Sequence, residues 1–391
     1  MQSHSLYLHI PFCTHRCAYC DFNTFSGLEA LMPAYVEALV TEIGAFAATA
    51  PQRIPLQTIF FGGGTPSLLP PADIARILGA VAAAFDLLPE AEVSLEANPG
   101  TLDAEQLTSL RSAGINRLSL GVQSANPEEL RLLDRVHDYP QVIQAVNWAR
   151  QAGFDNLNLD LIYALPGQSL ASWQRTLELV LGLHPEHLSL YALSFEHGTP
   201  FQSMASRGLF SMPDADLAAE MYEFASAELE AAGYEQYEIS NWARRRDGEL
   251  LACRHNLQYW RNLPYIGLGA GAHGWVGGMR TVATLAPAAY IQRLGNGAAP
   301  AFPRTLATMS AELVDGSQEM AETMMMGLRL VQEGVSRAAF KSRFGHPLGD
   351  AYSSEIGNLT ARGLLESPDG DTLRLTRGGR LLGNQVFMEF V

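Results

Sequence analysis

Three of the four cysteines in this 391-residue chain, Cys13, Cys17 and Cys20, fall in one short stretch, PFCTHRCAYCDF. Their Cys-x3-Cys-x2-Cys spacing puts three thiolates within reach of one iron–sulfur cubane and leaves the fourth iron without a protein ligand. Clusters that only carry electrons take four cysteines, and Phe22 stands where a fourth thiolate could have been. An iron with an open position can bind substrate. The alternative is a zinc ion whose tetrahedral shell is completed by His15 within the loop or by the remaining thiol, Cys253.

The cysteines follow the first of six short apolar or alternating runs, LYLHI, TIFF, VSLEA, RLSLGV, NLNLDLIY and HLSLYALS. Each run ends in a polar or glycine-rich tip, and most lead into a segment of helical period, such as ADIARILGAVAAAF or AEQLTSLRSAG. Repeated βα units predict an α/β fold with a parallel sheet and right-handed crossovers, curved into a partial or full barrel. Ligands of such barrels sit at the carboxyl ends of the strands. Here those ends carry the cysteines, Gly63-Gly64-Thr65, Glu96, Gln123, Asp160 and Ser194–Glu196. The glycines read either as a tight β-to-α turn or as a place of close backbone approach to a ligand, and no Lys-Ser/Thr follows to make a P-loop. Residues 1–210 are expected to form the barrel and residues 211–311 an extension, with a helix from Asp214 to Ala232 and a strand at YEQYEIS. Residues 312–391 read as a small, mainly helical, winged-helix-like domain in which Met324–Met326 fill core. Gly269-x-Gly271-x-x-Gly274 matches a dinucleotide fingerprint only formally, because no βαβ start precedes it and no acidic residue lies about 20 residues on.

The net charge, 26 − 41 = −15, argues against general binding of nucleic acid or anionic lipid. Few cysteines in a long chain point to a reducing, cytoplasmic compartment. A basic, apolar leader is lacking at MQSHSLYLHIPFC, and no run of about 18 apolar residues is present, so neither a signal peptide nor a transmembrane segment is expected. Charge is unevenly spread. No Asp or Glu lies between Glu249 and Glu312, whereas Arg254, Arg261, Arg280, Arg293 and Arg304 do. That segment is either a Gly/Ala/Pro-rich loop region or a site for a carboxylate-bearing ligand.

YLHIPFC…C…CDF, FFGGGTPSLL, LEANP, LSLGVQS and NLDLIYALPGQS together resemble the radical S-adenosylmethionine proteins related to oxygen-independent coproporphyrinogen III oxidase, over most of residues 5–200. The resemblance implies a (βα)6 partial TIM-type barrel and a [4Fe–4S] cluster on Cys13, Cys17 and Cys20. It further implies that the open iron binds S-adenosylmethionine through its amino and carboxylate groups, and that one electron cleaves it to methionine and a 5′-deoxyadenosyl radical. By the same resemblance Gly63, Gly64 and Thr65 face the methionyl amine, and Glu96, Gln123, Arg135 and Asp160 contact the cofactor. Tyr7 and Tyr19 bear on its sulfonium and adenine; taken singly, these residues also read as strand-end salt bridges or aromatic packing.

Two activities of that family compete: decarboxylation of coproporphyrinogen III, and haem chaperoning. The oxidases resemble Cys-x3-Cys-x2-Cys-x-Cys with a longer N-terminal extension, whereas this chain has Phe22 and only 12 residues before Cys13. RHNLQYW, residues 254–260, is similar to the His-Asn-x-x-Tyr-Trp motif of the haem chaperones. Imidazole is a common axial haem ligand, so His255 is expected on the iron. Tyr259 and Trp260 would offer flat surface beside Asn256, and Arg254 and Arg261 would meet the propionates. His273 and Cys253 are weaker candidate ligands; the plain alternative for any of these is a hydrogen-bonded or buried core residue. The chaperone reading implies a haem-acceptor partner, a respiratory haemoprotein, and is compatible with a homodimer and with peripheral attachment at the inner face of the membrane.

Overall fold

The computed structural model describes residues 3–210, 214–295, 297, 298 and 300–391. Six strands run parallel: β1 (His4–Ile10), β2 (Pro55–Gly63), β3 (Asp86–Ala97), β4 (Arg117–Gln123), β5 (Leu157–Tyr163) and β6 (His187–Ala192). They pair in sequence order, as right-handed βα repetition requires. The connecting helices α1 (Met32–Thr49), α2 (Pro71–Ala84), α3 (Ala104–Ala113), α4 (Tyr139–Gln151) and α5 (Leu170–Leu181) form the outer layer. Local chemistry sets their ends. Asp103 caps α3 and Gly114 closes it in the left-handed conformation, while Asp138 and Gln141 form a capping box on α4.

Period-two alternation divides the strands into two buried sets. Leu6, Leu8, Ile59, Phe61, Leu95, Leu118, Leu120, Leu159 and Leu188 join the helices in one large apolar core. The opposite faces are polar and bond to each other across the strands: Thr58 donates to Ser5 at 2.6 Å, Ser119 to Asp160 at 2.9 Å and Asn158 to Ser119 at 2.7 Å. A polar interior makes this barrel a container for a polar ligand rather than a filled core.

The region after the sixth strand extends the sheet at both ends. After α6 (Ala215–Ala231), capped by Asp214, come β7 (Tyr234–Glu238), β8 (Asn241–Arg246) and β9 (Glu249–Leu250). β8 lies antiparallel to β6. Next come α7 (Arg254–Trp260) and β10 (Tyr265–Leu268), which pairs in parallel with β1, then β11 (His273–Val276), β12 (Met279–Ala283) and β13 (Thr308–Leu313). The 13-stranded sheet has the order β9-β8-β6-β5-β4-β3-β2-β1-β10-β11-β12-β13, with β7 against β8. Because β10 leads into an antiparallel strand and not a helix, the glycines after it form a turn and no dinucleotide site.

The C-terminal region has its own apolar core, including Met324, Leu328, Phe340, Leu359, Leu375 and Phe387, around short helices and a three-stranded sheet. The segment Glu29–Thr49 is long and apolar enough to cross a membrane by length and composition, with mean hydropathy 1.3. It packs as a barrel helix: Val36, Leu39 and Ile43 are buried in the main core, and the buried Glu42 accepts hydrogen bonds from Gly269 N, Tyr290 and Thr305.

Candidate cluster and cofactor site

The cysteine loop leaves β1 at Ile10 and is closed by a short parallel pairing of Phe12–Cys13 with Phe25–Ser26. The glycine tip of β2 is zipped to it. Gly64 N donates to Ile10 O and Thr65 N to Phe12 O, both at 2.8 Å. A Cβ on Gly64 would lie 2.5 Å from Phe12 O and 3.0 Å from Cys13 Sγ, and one on Gly63 would strike the His9 ring at 2.6 Å. In this structure the glycines are therefore needed for two strand tips to touch. His15 Nε2 donates to Asp134 at 2.6 Å and pins the far side of the loop.

Cys13, Cys17 and Cys20 line one cavity of about 330 Å³ at the carboxyl ends of the parallel strands, together with Tyr19, Gly63, Gly64, Thr65, Glu96, Gln123, Arg135 and Asp160. Burial pushes the Cys13 and Cys20 thiols above the usual range, with hydroxyls opposing it; a bound metal would remove those protons. Among the described residues no three His, Cys, Asp or Glu side chains gather as a single ion requires. Three thiols spaced around a cavity suit a multi-iron cluster, whose ligands sit on separate irons, and the donor set fits that group.

The remaining polar groups are arranged by charge. Burial first, and the neighbouring Asp160 carboxylate second, raise Glu96 to about 7, while Gly63 N donates to it at 3.2 Å. Asp160 is also raised by burial, against hydrogen bonds from Ser119 and Asn158. Arg135 donates to Asn98 Oδ1, to Gly121 O at 2.7 Å and to Cys17 Sγ at 3.6 Å. Gln123 ends β4 with φ of 66°. Tyr7 is not among the residues that line the cavity; its hydroxyl donates to His9 Nδ1 at 3.0 Å, and His9 Nε2 then donates to Asn23 O at 2.9 Å. Tyr19 packs edge-on against Phe201. Sequence reasoning assigned no role to Asn98, Ser119, Gly121 and Tyr191, which share this lining. Asn98 follows directly on LEA in the third strand run, which was the available signal.

The second motif is not part of this cavity. The N-terminus of α7 sits on Glu92, which accepts from Arg254 N at 3.0 Å and His255 N at 3.3 Å. His255 is fully buried inside the sheet, stacked on Phe60 at 5.0 Å. Thr58 spends its hydrogen on Ser5, so His255 Nδ1 must donate to Thr58 Oγ1, at 2.7 Å. Nε2 is then the accepting nitrogen and takes the Tyr259 hydroxyl at 2.9 Å. Burial, helped by the charge of Arg117, lowers the imidazole to about 3. Trp260 is covered by the Arg329 guanidinium 4.6 Å from its ring centre, and Asn256 is half-buried. In this conformation His255 offers no open face to a porphyrin, while Asn256, Tyr259 and Trp260 are partly exposed.

The expected arginine patch is likewise spoken for. Arg261 pairs with Glu333 at 2.8 Å and Arg280 with Glu322 at 2.6 Å, while Arg254 donates to Glu90 O at 2.5 Å. Two of the five arginines of the acid-free segment, Arg261 and Arg280, are thus matched by carboxylates of the C-terminal region, whereas Arg254 and Arg293 donate to backbone carbonyls.

A profile of the radical SAM superfamily matches residues 7–180 and one of the HemN C-terminal domain matches residues 314–382. The chain is 38% identical over 391 residues to "Heme chaperone HemW" of Bacillus subtilis, covering 99% of each. It is 40% identical over 394 residues to that of Escherichia coli K12, covering 99% of this chain and 98% of the relative. The chain belongs to the HemW family. As radical SAM proteins, HemW family members are implied to use a [4Fe–4S] cluster and S-adenosylmethionine. The fold also matches a solved coproporphyrinogen III oxidase (HemN) from Escherichia coli, with TM-score 0.81 and 25% identity over 99% of this chain and 90% of that one. In this HemW family chain Phe22 lines the cluster cavity and is 64% exposed.

Proposed function

We propose that this protein is a haem chaperone that holds S-adenosylmethionine on a three-cysteine [4Fe–4S] cluster and passes haem to an acceptor haemoprotein of respiration. The observation that carries the reading is the single cavity joining three thiols to Arg135, Glu96 and Asp160, in a chain aligned from end to end with proteins named heme chaperone HemW. Cys13, Cys17 and Cys20 would hold the cluster, which when bound supplies an iron for the amino and carboxylate groups of S-adenosylmethionine and an electron source. Arg135 suits the carboxylate. Glu96 and Asp160 suit the amine, sulfonium and ribose hydroxyls, and Gln123 and Tyr19 close the sides. Tyr7 acts by fixing His9 and the tip of β2.

His255 enters as haem ligand through a displacement of α7. Only its Nε2 lone pair is suited to iron, and Tyr259 of the same motif covers it. Giving up the two imidazole hydrogen bonds costs about 1–3 kcal/mol, and displacing α7 also gives up the Glu92 bonds to Arg254 N and His255 N; a micromolar ligand supplies about 8 kcal/mol. Asn256, Tyr259 and Trp260 would move with it and meet the porphyrin. The charge balance of −15 supports neither nucleic acid nor lipid as ligand, and a cytoplasmic location, with docking to the acceptor at the membrane face and a homodimer, belongs to the same proposal.

Coproporphyrinogen III oxidation is the second reading, favoured by the fold match alone. Anaerobic reconstitution followed by haem titration and a decarboxylation assay on the same sample separates the two. Stoichiometric haem binding without protoporphyrinogen IX supports the chaperone; robust turnover without haem binding overturns it.

A further inference from the structure

Thr65 follows the tip of β2 and Arg135 lies in the connection after β4, yet each aims a donor at a cluster cysteine. Thr65 Oγ1 lies 3.7 Å from Cys13 Sγ and Arg135 Nη1 lies 3.6 Å from Cys17 Sγ. Between them stands Asn98. Its Nδ2 donates to Thr65 Oγ1 at 3.0 Å and its Oδ1 accepts from Arg135 Nη2. The orientation of the amide is dictated by its neighbours: a guanidinium can only donate, so Oδ1 must face Arg135 and Nδ2 must face Thr65. Thr65 then receives on its oxygen, and its own hydrogen is left for Cys13. The Asn98 carbonyl is fixed in turn by Thr101 N at 3.0 Å and Thr101 Oγ1 at 2.9 Å. A Cβ on Gly121 would lie 3.3 Å from Asn98 Oδ1 and 3.1 Å from Arg135 Nη2. The bridge thus joins the connections that follow β2, β3 and β4 and is packed without slack.

We propose that Asn98 is a positioning residue that orients hydrogen-bond donors onto two of the three cluster thiolates, Thr65 onto Cys13 and Arg135 onto Cys17, and so sets the reduction potential of the cluster. This rests on the assignment of the cluster to the three cysteines. Hydrogen bonds to ligand sulfur stabilise the more negative, reduced cluster and raise its potential. Only a side chain with one donor and one acceptor end performs both tasks. An aspartate keeps Arg135 but takes the hydrogen of Thr65 away from Cys13, and it adds negative charge beside the cluster.

The test is an EPR-monitored redox titration of anaerobically reconstituted wild type, Thr65→Val, Asn98→Ala, Asn98→Asp and the control Gln106→Ala. Gln106 donates to the Ser67 backbone carbonyl at 2.6 Å and makes no hydrogen bond to Thr65, Asn98 or Arg135. At a fixed potential Thr65→Val should hold on the order of tenfold less reduced cluster, about 59 mV for one electron. Asn98→Ala and Asn98→Asp should fall at least as far, and Gln106→Ala should match wild type. A merely structural bridge would change iron content or melting temperature and leave the potential of retained clusters in place, which overturns the proposal. Where Asn98→Ala retains no cluster, the shape-conserving Thr65→Val decides. Wild type without a cluster sinks the cluster assignment and this inference together, whereas equal potentials in all cluster-bearing variants sink this inference alone.

Discussion

Glu96 and Asp160 stand on either side of β4, and the two buried carboxylates cannot both be comfortably ionised: Glu96 stays protonated until about pH 7, through burial and then the charge of Asp160. A cationic ligand reverses that preference, because the sulfonium favours the ionised acid. Affinity for S-adenosylmethionine should therefore rise as pH increases through 7. The free α-amino group loses its proton near pH 8, so the comparison with Glu96→Gln carries the test. The substitution should remove most of the rise between pH 6 and 7.5 and weaken binding at pH 8. Calorimetry giving parallel pH profiles for the two proteins would refute this role.

The same shift predicts an opposite effect on stability. Its folded value lies above the unfolded one near 4.5, so the unliganded protein loses stability as pH rises from about 4.5 to 7. Glu96→Gln should melt higher than wild type at pH 8 and equally at pH 4. A residue whose loss stabilises the protein and weakens its ligand is one retained for function.

Gly64→Ala tests the zipper between the tip of β2 and the cysteine loop. The new methyl would meet Phe12 O and Cys13 Sγ, neither of which is the free end of a flexible side chain. Overpacking of this kind costs about 1–3 kcal/mol. The strain falls on the loop, so iron and sulfide per chain after reconstitution should drop several-fold while far-ultraviolet circular dichroism is kept. Full cluster content would show that the loop yields cheaply.

The four cysteines should behave as two classes. Cys17→Ala should abolish the cluster, because two thiols cannot anchor three irons. Cys253→Ala should leave it whole: that thiol is buried, burial pushes it up to about 12, and it faces Glu92 Oε1 at 3.6 Å. Maleimide at pH 8 should label the native apoprotein at the loop and label Cys253 only after unfolding. Labelling of native Cys253 at a comparable rate would contradict its burial.

Much of this architecture was legible. NLNLDLIY alternates leucine with polar residues, and the two faces of β5 are those two sets. The six parallel strands and the carboxyl-end location of the cavity followed from such patterns. The sheet extensions were less legible, since β10 has four residues and is held by its pairing with β1, more than 250 positions away. The partners of two arginines were hidden for a related reason. Arg261 meets Glu333 and Arg280 meets Glu322, 72 and 42 residues on, and local composition does not reveal such partners. Nor could the role of Asn98 be read, because it exists only once Thr65 and Arg135 converge on one amide.

His255 offers the sharpest contrast between residue type and setting. Held near 3 by burial and Arg117, its ring is neutral throughout the physiological range. Its folded value lies below the unfolded one near 6.5, so its contribution to stability is complete above about pH 6.5 and is lost as pH falls toward 3. At pH 7 His255→Ala leaves Thr58 and Tyr259 without their partner and a cavity beside Phe60, which should lower stability by about 2–4 kcal/mol. Haem ligation through Nε2 must first remove the Tyr259 hydroxyl. We expect haem to increase amide exchange across Cys253–Asn262 in wild type but not in His255→Ala, and the Soret band of the variant to differ from wild type. Tyr259→Phe should bind haem more tightly by a few-fold, since the nitrogen is already uncovered. A common Soret maximum in all three proteins, with α7 protected throughout, would confine His255 to holding the barrel together and place the haem ligand elsewhere.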